Sequence, residues 1–335
     1  MLETRRADQL GVAPANVARA AFHSVATEIP RGRLTSAELA QRLGVAEDWI
    51  VSRTGIRERP VAAPDERLSD YAAHVGAAAL ERAGVDPVDV DLVLVATMTS
   101  DELTPNTAPV VAHLIGAARA GAFDVGAACT AFLSAVAVGA AQIESGRARW
   151  VLAVGADFVT RITDWEDRKS APLFADAAGA AVLGPAEHGH GEIGPIVLGA
   201  DGAPPHAIFA DHAERKLKMD GPLVYRNAVS RMTEATLAAV HRAGLTLDEV
   251  DLFVYHQANA RITRAVGERL GLAPGRVVDC IERLGNSSAA TLLLGLAQAE
   301  GDGRLRPGAR VLLAAFGAGF TWGGGVIEWG GSGGA

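Results

Sequence analysis

Leu80-Glu-Arg-Ala-Gly-Val-Asp-Pro-Val-Asp-Val-Asp-Leu-Val-Leu-Val95 returns 160 positions later as Val240-His-Arg-Ala-Gly-Leu-Thr-Leu-Asp-Glu-Val-Asp-Leu-Phe-Val-Tyr255. Arg82, Ala83, Gly84, Val90, Asp91 and Leu92 are matched in register by Arg242, Ala243, Gly244, Val250, Asp251 and Leu252. Each copy reads as a helix stopped at glycine, a short acidic loop and a strand. The strand runs are continuously apolar rather than alternating, which points to sheets covered on both faces. A second pair supports the repeat: Arg149-Trp-Val-Leu-Ala-Val-Gly155 and Arg310-Val-Leu-Leu-Ala-Ala-Phe-Gly317 both follow a turn containing Gly or Pro. A repeat of about half the chain length implies two similar α/β halves, each ordered strand, helix, strand, helix, strand. The bland alternative is that both halves merely share α/β grammar. The junction is placed near Pro185 to Gly191, giving halves 1–186 and 187–335.

Length and composition bound the class. A chain of 335 residues can bury a large core. Although 49% of residues are apolar, no apolar run reaches the ~18 residues a membrane span needs. The start, Met-Leu-Glu-Thr-Arg-Arg, lacks the layout of a secretion signal. Two cysteines, Cys129 and Cys280, make no disulfide framework, and a cytoplasmic location is the simplest reading. A formal charge of −8 argues against nucleic acid as a partner, though a local arginine patch could still meet an acidic protein. Asp201 to Pro222 reads as a charged loop, and Gly330 to Ala335 as a flexible tail.

Three polar residues sit where strands run out. In Asp124-Val-Gly-Ala-Ala-Cys129 the cysteine follows a short strand and opens a helix, Thr130 to Ser145. The positive end of the helix dipole there favours thiolate, the nucleophilic form. The other reading is a buried structural cysteine. His256, in His256-Gln-Ala-Asn259, ends the second-copy strand, where α/β folds place ligand chemistry. Its neutral form can donate one hydrogen bond to a thioester oxygen, unless it is simply a satisfied core histidine. Asn286, in Gly285-Asn286-Ser-Ser, is either an N-cap or an amide donor to a developing oxyanion. Cys129 and Asn286 lie 157 apart, close to the repeat offset, so the halves would offer equivalent loops to one site. Phe316, Gly317 and Ala318 belong to a glycine-rich turn after a buried strand. Its backbone N–H groups suit an oxyanion hole; a tight turn between strands is the plainer reading. His188 and His190 lie in a loop, and His-x-His alone is weak evidence for metal. Cys280 is read as a buried strand-end residue with no role. A thiol, an imidazole and an amide together suit acyl transfer through a thioester.

These residues resemble the β-ketoacyl-acyl-carrier-protein synthase III family of thiolase-fold condensing enzymes. The resemblance is carried by Trp49-Ile-Val-Ser-Arg-Thr-Gly-Ile-Arg-Glu-Arg59, the Cys129 loop, His256 to Arg261, Gly285 to Ala290 and Ala315 to Trp322. It implies an α/β thiolase-like fold of two pseudo-symmetric halves, each a mixed sheet covered by helices, and a catalytic triad of Cys129, His256 and Asn286. It implies that Trp49 and Arg168 sandwich the adenine of coenzyme A, that Arg53 meets its phosphates, and that Asn259 contacts its pantetheine arm. Arg226 and Arg261 would join a patch meeting an acidic carrier protein, although a solvated surface charge is the bland reading of either. A homodimer would cap the partner's acyl pocket with a loop bearing Leu103. The expected partners are acyl-CoA and malonyl-acyl-carrier-protein, with coenzyme A present only as a thioester substrate and no metal or cofactor.

The chain departs from the housekeeping pattern at Thr130-Ala131, Leu103, Ala318 and Glu268-Arg269. Those departures bear on substrate rather than on chemistry. The expected reaction is a decarboxylative condensation, in fatty acid initiation or polyketide priming. The alternatives are an acyltransferase on the same scaffold and a non-catalytic partner subunit.

Overall fold

The computed structural model describes residues 19–186 and 191–330. The pair His188 and His190 and most of the tail lie outside the described residues, as does much of the proposed junction.

The first part of the chain forms β1 (Ala20–Glu28), β2 (Arg33–Thr35), α1 (Ser36–Leu43), α2 (Glu47–Thr54), β3 (Glu58–Pro60), α3 (Leu68–Ala83), β4 (Leu92–Ala96), α4 (Thr107–Ile115), β5 (Gly121–Val125), α5 (Ala131–Glu144), β6 (Val151–Phe158) and β7 (Asp176–Pro185). The second forms β8 (Val197–Ala200), a small hairpin of β9 (Ile208–Phe209) and β10 (Lys218–Met219), α6 (Gly221–Arg242), β11 (Leu252–Tyr255), α7 (Ala260–Leu270), β12 (Val277–Val278), α8 (Ile281–Leu284), α9 (Thr291–Gly301), β13 (Arg310–Gly317) and β14 (Thr321–Glu328).

Two five-stranded sheets result, in the orders β1-β7-β6-β4-β5 and β12-β11-β13-β14-β8. In the first, β5, β4 and β6 run parallel, and β7 and β1 pair antiparallel. In the second, β12, β11 and β13 run parallel, and β14 and β8 pair antiparallel. The sheets are therefore mixed and share one topology, as the α/β thiolase-like expectation required. The coarse strand-helix order expected for each half omitted the two antiparallel strands, because β7 and β14 are joined to their predecessors without a crossover helix.

The sequence repeat has a physical meaning. Leu92 pairs with Val151, and Leu252 with Val311, so the matched strands take equivalent places beside β6 and β13. Asp91 accepts from the backbone N of Arg149 (2.7 Å) and Trp150 (3.1 Å). Asp251 accepts from the N of Arg310 at 2.8 Å. The repeated aspartate thus fastens the start of each parallel pair.

Helices α5 and α9 lie between the sheets, and their residues Phe132, Val136, Leu293 and Leu296 share one core with Leu94, Leu183, Val254 and Leu313. An all-round apolar helix is a buried one, which fits their composition. Helices α3 and α4 cover the outer face of the first sheet, and α6 and α7 that of the second. The layering places the carboxyl ends of the parallel strands from both halves at one central seam.

Gly155 in β6 permits that seam to close. A Cβ there would lie 2.6 Å from the Ala289 carbonyl oxygen, at the entry to α9. Gly155→Ala is expected to lower stability by about 1–3 kcal/mol, the usual range for overpacking a filled core. Thermal denaturation checks this, with Gly202→Ala as control, since a Cβ at Gly202 meets nothing within 4 Å. An unchanged melting temperature for Gly155→Ala would refute it.

Candidate active site

The seam opens into a cavity of about 600 Å³, lined by Cys129, His256, Asn286 and Gly317 among others. The three polar side chains expected to act together are brought to one space. Their loops are related by the repeat. Ala128 heads the 3-10 turn Ala128–Thr130 with φ 47, and Ser288 heads Ser288–Ala290 with φ 51. Left-handed backbone at a non-glycine residue costs on the order of 1–3 kcal/mol and persists only where surroundings enforce it. Here it turns the ends of β5 and α8 sharply inward, one from each half. Helix α5 begins only at Ala131, so Cys129 sits in the tighter turn before it, not in the α-helix itself.

Asp157 ties the second of these turns to the loop after β4. This fully buried carboxylate accepts from Thr97 Oγ1 (3.1 Å), Met98 N (2.8 Å), Thr99 Oγ1 (2.9 Å) and Ala289 N (3.2 Å). Ser288 Oγ donates to Cys129 Sγ at 3.5 Å. The sequence expectation that the helix dipole makes Cys129 a ready thiolate is corrected. Burial pushes the thiol up to about 12, the negative charge of Asp157 adds to this, and the Ser288 hydroxyl only partly opposes it. Desolvation is the largest influence on this thiol.

His256 follows β11, and its backbone N donates to Ala314 O at 2.9 Å. The ring is 1% exposed, and burial pushes its pKa down to about 3, so it is neutral. Nδ1 lies 2.6 Å from Thr291 Oγ1, which leaves Nε2 to the cavity. The adjacent Gln257 braces the strand ends: its amide donates to Tyr255 O (2.9 Å) and Val278 O (3.2 Å) and accepts from Cys280 N (3.3 Å).

Asn286 is both cap-like and turned toward the cavity. Its Oδ1 accepts from Ser288 N at 2.9 Å, which assigns the amide orientation and leaves Nδ2 as a donor. Its backbone is bridged to the first half, N to Leu173 O (2.9 Å) and O from Ala175 N (3.0 Å). Behind that bridge the buried Arg59 donates to Pro172 O (3.1 Å) and Ser36 Oγ (3.0 Å), and burial pushes its pKa down to about 10.

Gly317 ends β13 against the nucleophile: a Cβ there would lie 2.9 Å from Cys129 N. Phe316 and Ala318 line the same cavity, with Phe316 packed on Phe320 at 4.8 Å between ring centroids. Thr130 Oγ1 lies 2.8 Å from both Ala127 O and Thr321 Oγ1, linking the nucleophile turn to the β13–β14 turn. This departure from the housekeeping pattern is therefore built into the site.

The residues assigned to coenzyme A line the outer part of the cavity, where they also contact the chain itself. Arg53, not Arg168, covers the Trp49 ring, at 4.6 Å from its centroid. Arg168 Nε instead donates to Leu43 O at 3.0 Å, at the end of α1. Asn259 is the N-cap of α7: its Oδ1 accepts from Arg261 N (2.9 Å) and its Nδ2 donates to Arg53 O (3.0 Å). Both ends of that amide are thus engaged within the chain. Arg226 lines the mouth, as does Arg261, which stacks over Tyr225 at 5.6 Å. Leu103 is not part of the cavity; it is 81% exposed on the loop after β4.

The comparisons agree with this site. Residues 123–202 match the family model for 3-oxoacyl-[acyl-carrier-protein] synthase III, and residues 240–329 the model for its C terminal part. The β-ketoacyl-[acyl-carrier-protein] synthase III of Symbiobacterium thermophilum is 40% identical over 316 residues, covering 90% of this chain and 96% of that protein. The crystal structure of the Thermus thermophilus synthase III is 41% identical with a TM-score of 0.89, covering 94% of this chain and all of that one (100%). A priming β-ketosynthase from a polyketide biosynthetic pathway is 36% identical with a TM-score of 0.90, covering 95% of this chain and 98% of that one. Fold and site define a thiolase-fold condensing enzyme. The chain belongs to the β-ketoacyl-acyl-carrier-protein synthase III family.

Sequence reading missed Asp157, Thr291 and Arg59 as parts of the site. Asp157 closes a strand, in Gly155-Ala-Asp157, and a carboxylate within an apolar strand is the signal that marked it. A solution test follows from the buried imidazole. Because burial lowers its pKa, the unfolded chain takes up a proton below the ordinary value near 6.5 that the folded ring refuses. Stability from His256 is therefore complete above about pH 6.5 and lost as pH falls toward the folded value. The His256 ring signals in nuclear magnetic resonance are expected to stay unchanged from about pH 8 to 5. Titration of His256 near pH 6.5 would contradict the burial argument.

Proposed function

We propose that this enzyme condenses an acyl-CoA primer with malonyl-acyl-carrier-protein and releases carbon dioxide, to give a 3-oxoacyl thioester. The observation that carries the reading is the Asn286 amide with its oxygen held by Ser288 N and its Nδ2 left to the cavity beside Cys129. Simple acyl transfer has no enolate to stabilise, so a buried amide donor there favours condensation.

Cys129 attacks the acyl thioester carbon as its S–H proton departs, and the leaving coenzyme A sulfur takes up a proton, so acylation is proton-neutral overall. Backbone N–H groups of Cys129 and of the turn from Gly317 hold the oxyanion. The malonyl thioester then loses its carboxylate as carbon dioxide. The enolate oxygen is held by Asn286 Nδ2 and His256 Nε2. The enolate carbon attacks the acyl-Cys129 carbonyl and releases the thiolate. Coenzyme A enters as a thioester substrate, and the chemistry asks for no metal or redox group.

The mouth residues Trp49, Arg53 and Arg168 are assigned to the nucleotide of coenzyme A, and Arg226 and Arg261 to the acidic carrier. A homodimer is supported by Leu103, 81% exposed, together with Phe123 (44%) on the edge strand β5 and Leu114 (50%) on α4. Those apolar side chains are assigned to the subunit contact, with Leu103 reaching the partner's acyl pocket. The 1–186 and 187–335 halves are taken as the two structural units, and a cytoplasmic location accords with the free thiols of Cys129 and Cys280.

The half-reactions test the assignment. Cys129→Ala is expected to abolish acyl-enzyme formation while retaining some malonyl decarboxylation. Asn286→Ala is expected to accept acyl groups and to lose decarboxylation by about 10²–10³-fold, the usual cost of one oxyanion donor. Intact-protein mass and carbon dioxide release report the two steps. Wild-type decarboxylation by Asn286→Ala would overturn the division of labour.

A further inference from the structure

Ala128 and Ser288 stand 160 positions apart, the offset of the repeat, and both head 3-10 turns in left-handed backbone, with φ 47 and φ 51. The two halves have built the same turn with different side chains. After Ala128 comes Cys129; after Ser288 comes Ala289. The nucleophile of one half therefore meets a hydroxyl supplied by the other. Ser288 Oγ donates to Cys129 Sγ at 3.5 Å, a length suited to an acceptor as large as sulfur.

Strained backbone of this kind marks positions whose side chain or backbone must be aimed. Both are aimed at Ser288. Its backbone N holds Asn286 Oδ1 at 2.9 Å, and its hydroxyl holds the sulfur. The residue is 1% exposed, which keeps bulk water from the hydroxyl. Asp157, which the same hydroxyl also influences, already accepts from Thr97, Met98, Thr99 and Ala289. At the Cys129 thiol, burial and Asp157 oppose the anion, and the Ser288 hydroxyl is the side chain that favours it.

We propose that Ser288 is a catalytic residue whose hydroxyl stabilises the Cys129 sulfur anion as it attacks and as it departs. In acylation the Sγ–acyl bond forms while the bond from the acyl carbon to the coenzyme A sulfur breaks. The proton lost by Cys129 is balanced by one taken up by that leaving sulfur. In condensation the enolate carbon bonds to the acyl carbon and the Sγ–acyl bond breaks. Its electron pair returns to Sγ, which then takes one proton from solvent. Negative charge builds in both steps on a sulfur that burial keeps from water, where a charge-assisted hydrogen bond counts most. The departing step rests on the condensation reading above; the attacking step does not.

The test uses full-length Ser288→Ala and Ser288→Gly. Alkylation of Cys129 by iodoacetamide at about pH 8 reports the thiolate without any substrate. Peptide mass separates it from alkylation of Cys280. Both variants widen access to the sulfur, so slower alkylation reports the lost hydrogen bond and not obstruction. Both are expected to alkylate, and to accept acyl groups from acyl-CoA, about 10–100-fold more slowly than the wild type, the scale of one hydrogen bond to a charged atom. Malonyl decarboxylation should fall about 10-fold less than acylation, because both variants keep the backbone N–H that holds Asn286. Glycine also relieves the positive φ. If Ser288 served only the shape of its turn, Ser288→Gly would acylate at the wild-type rate. That outcome, wild-type alkylation by either variant, or an equal loss of acylation and decarboxylation refutes the proposal. If the wild type alkylates and acylates faster than both variants yet releases no carbon dioxide from a malonyl thioester, the condensation reading fails and the Ser288 assignment stands.

Discussion

The site depends on one buried carboxylate. Asp157 lies at the carboxyl end of β6 and accepts from two threonine hydroxyls and two backbone N–H groups. Three of those donors come from the loop after β4, and the fourth is Ala289 N, at the entry to α9. Removing the carboxylate would leave four donors unsatisfied, each at about 1–3 kcal/mol if buried. The bond to Ala289 ties the second half to the first where the Asn286 segment meets the Cys129 turn. The left-handed Ser288 immediately precedes Ala289, so the bond to Asp157 helps hold that turn.

The same dryness that rigidifies the site sets its protonation. Desolvation raises the Cys129 thiol, lowers the imidazole of His256 and raises the carboxyl of Asp157. Burial is the largest cause of all three shifts. The thiol and the imidazole therefore rest neutral, beside the buried carboxylate of Asp157. Preformed donors then matter more than resting ions: Asn286 Nδ2, the His256 ring and the backbone beside Gly317 need no reorganisation as charge develops.

Much of this was legible in the chain. The 160-residue repeat announced two equivalent halves because Asp91 and Asp251 perform the same fastening at equivalent strands. Cys129, His256 and Asn286 stood out because each follows a strand or a glycine turn, the positions from which α/β folds present side chains. The mouth was less legible. Trp49 and Arg53 are four apart on α2, so their stacking is a local i,i+4 contact, whereas the approach of Arg168 to the end of α1 joins distant segments. Asn259 looked like a ligand contact because it sits in the His256 motif, yet its geometry is that of a helix cap.

Residue types and periodicity by themselves determined the α/β class, the pseudo-symmetry and the choice of Cys129, His256 and Asn286 as candidates, since these follow from local pattern and from chemistry carried by single groups. Tertiary structure alone decided the ionisation of Cys129 and His256 and the partners of Asp157, Thr291 and Arg59. Each of those depends on burial or on contacts between distant segments, as where Arg59 supports Pro172 and Asp157 reaches Ala289. Solvent exclusion at a seam between two halves is a property of how they close, and no local stretch of sequence records it.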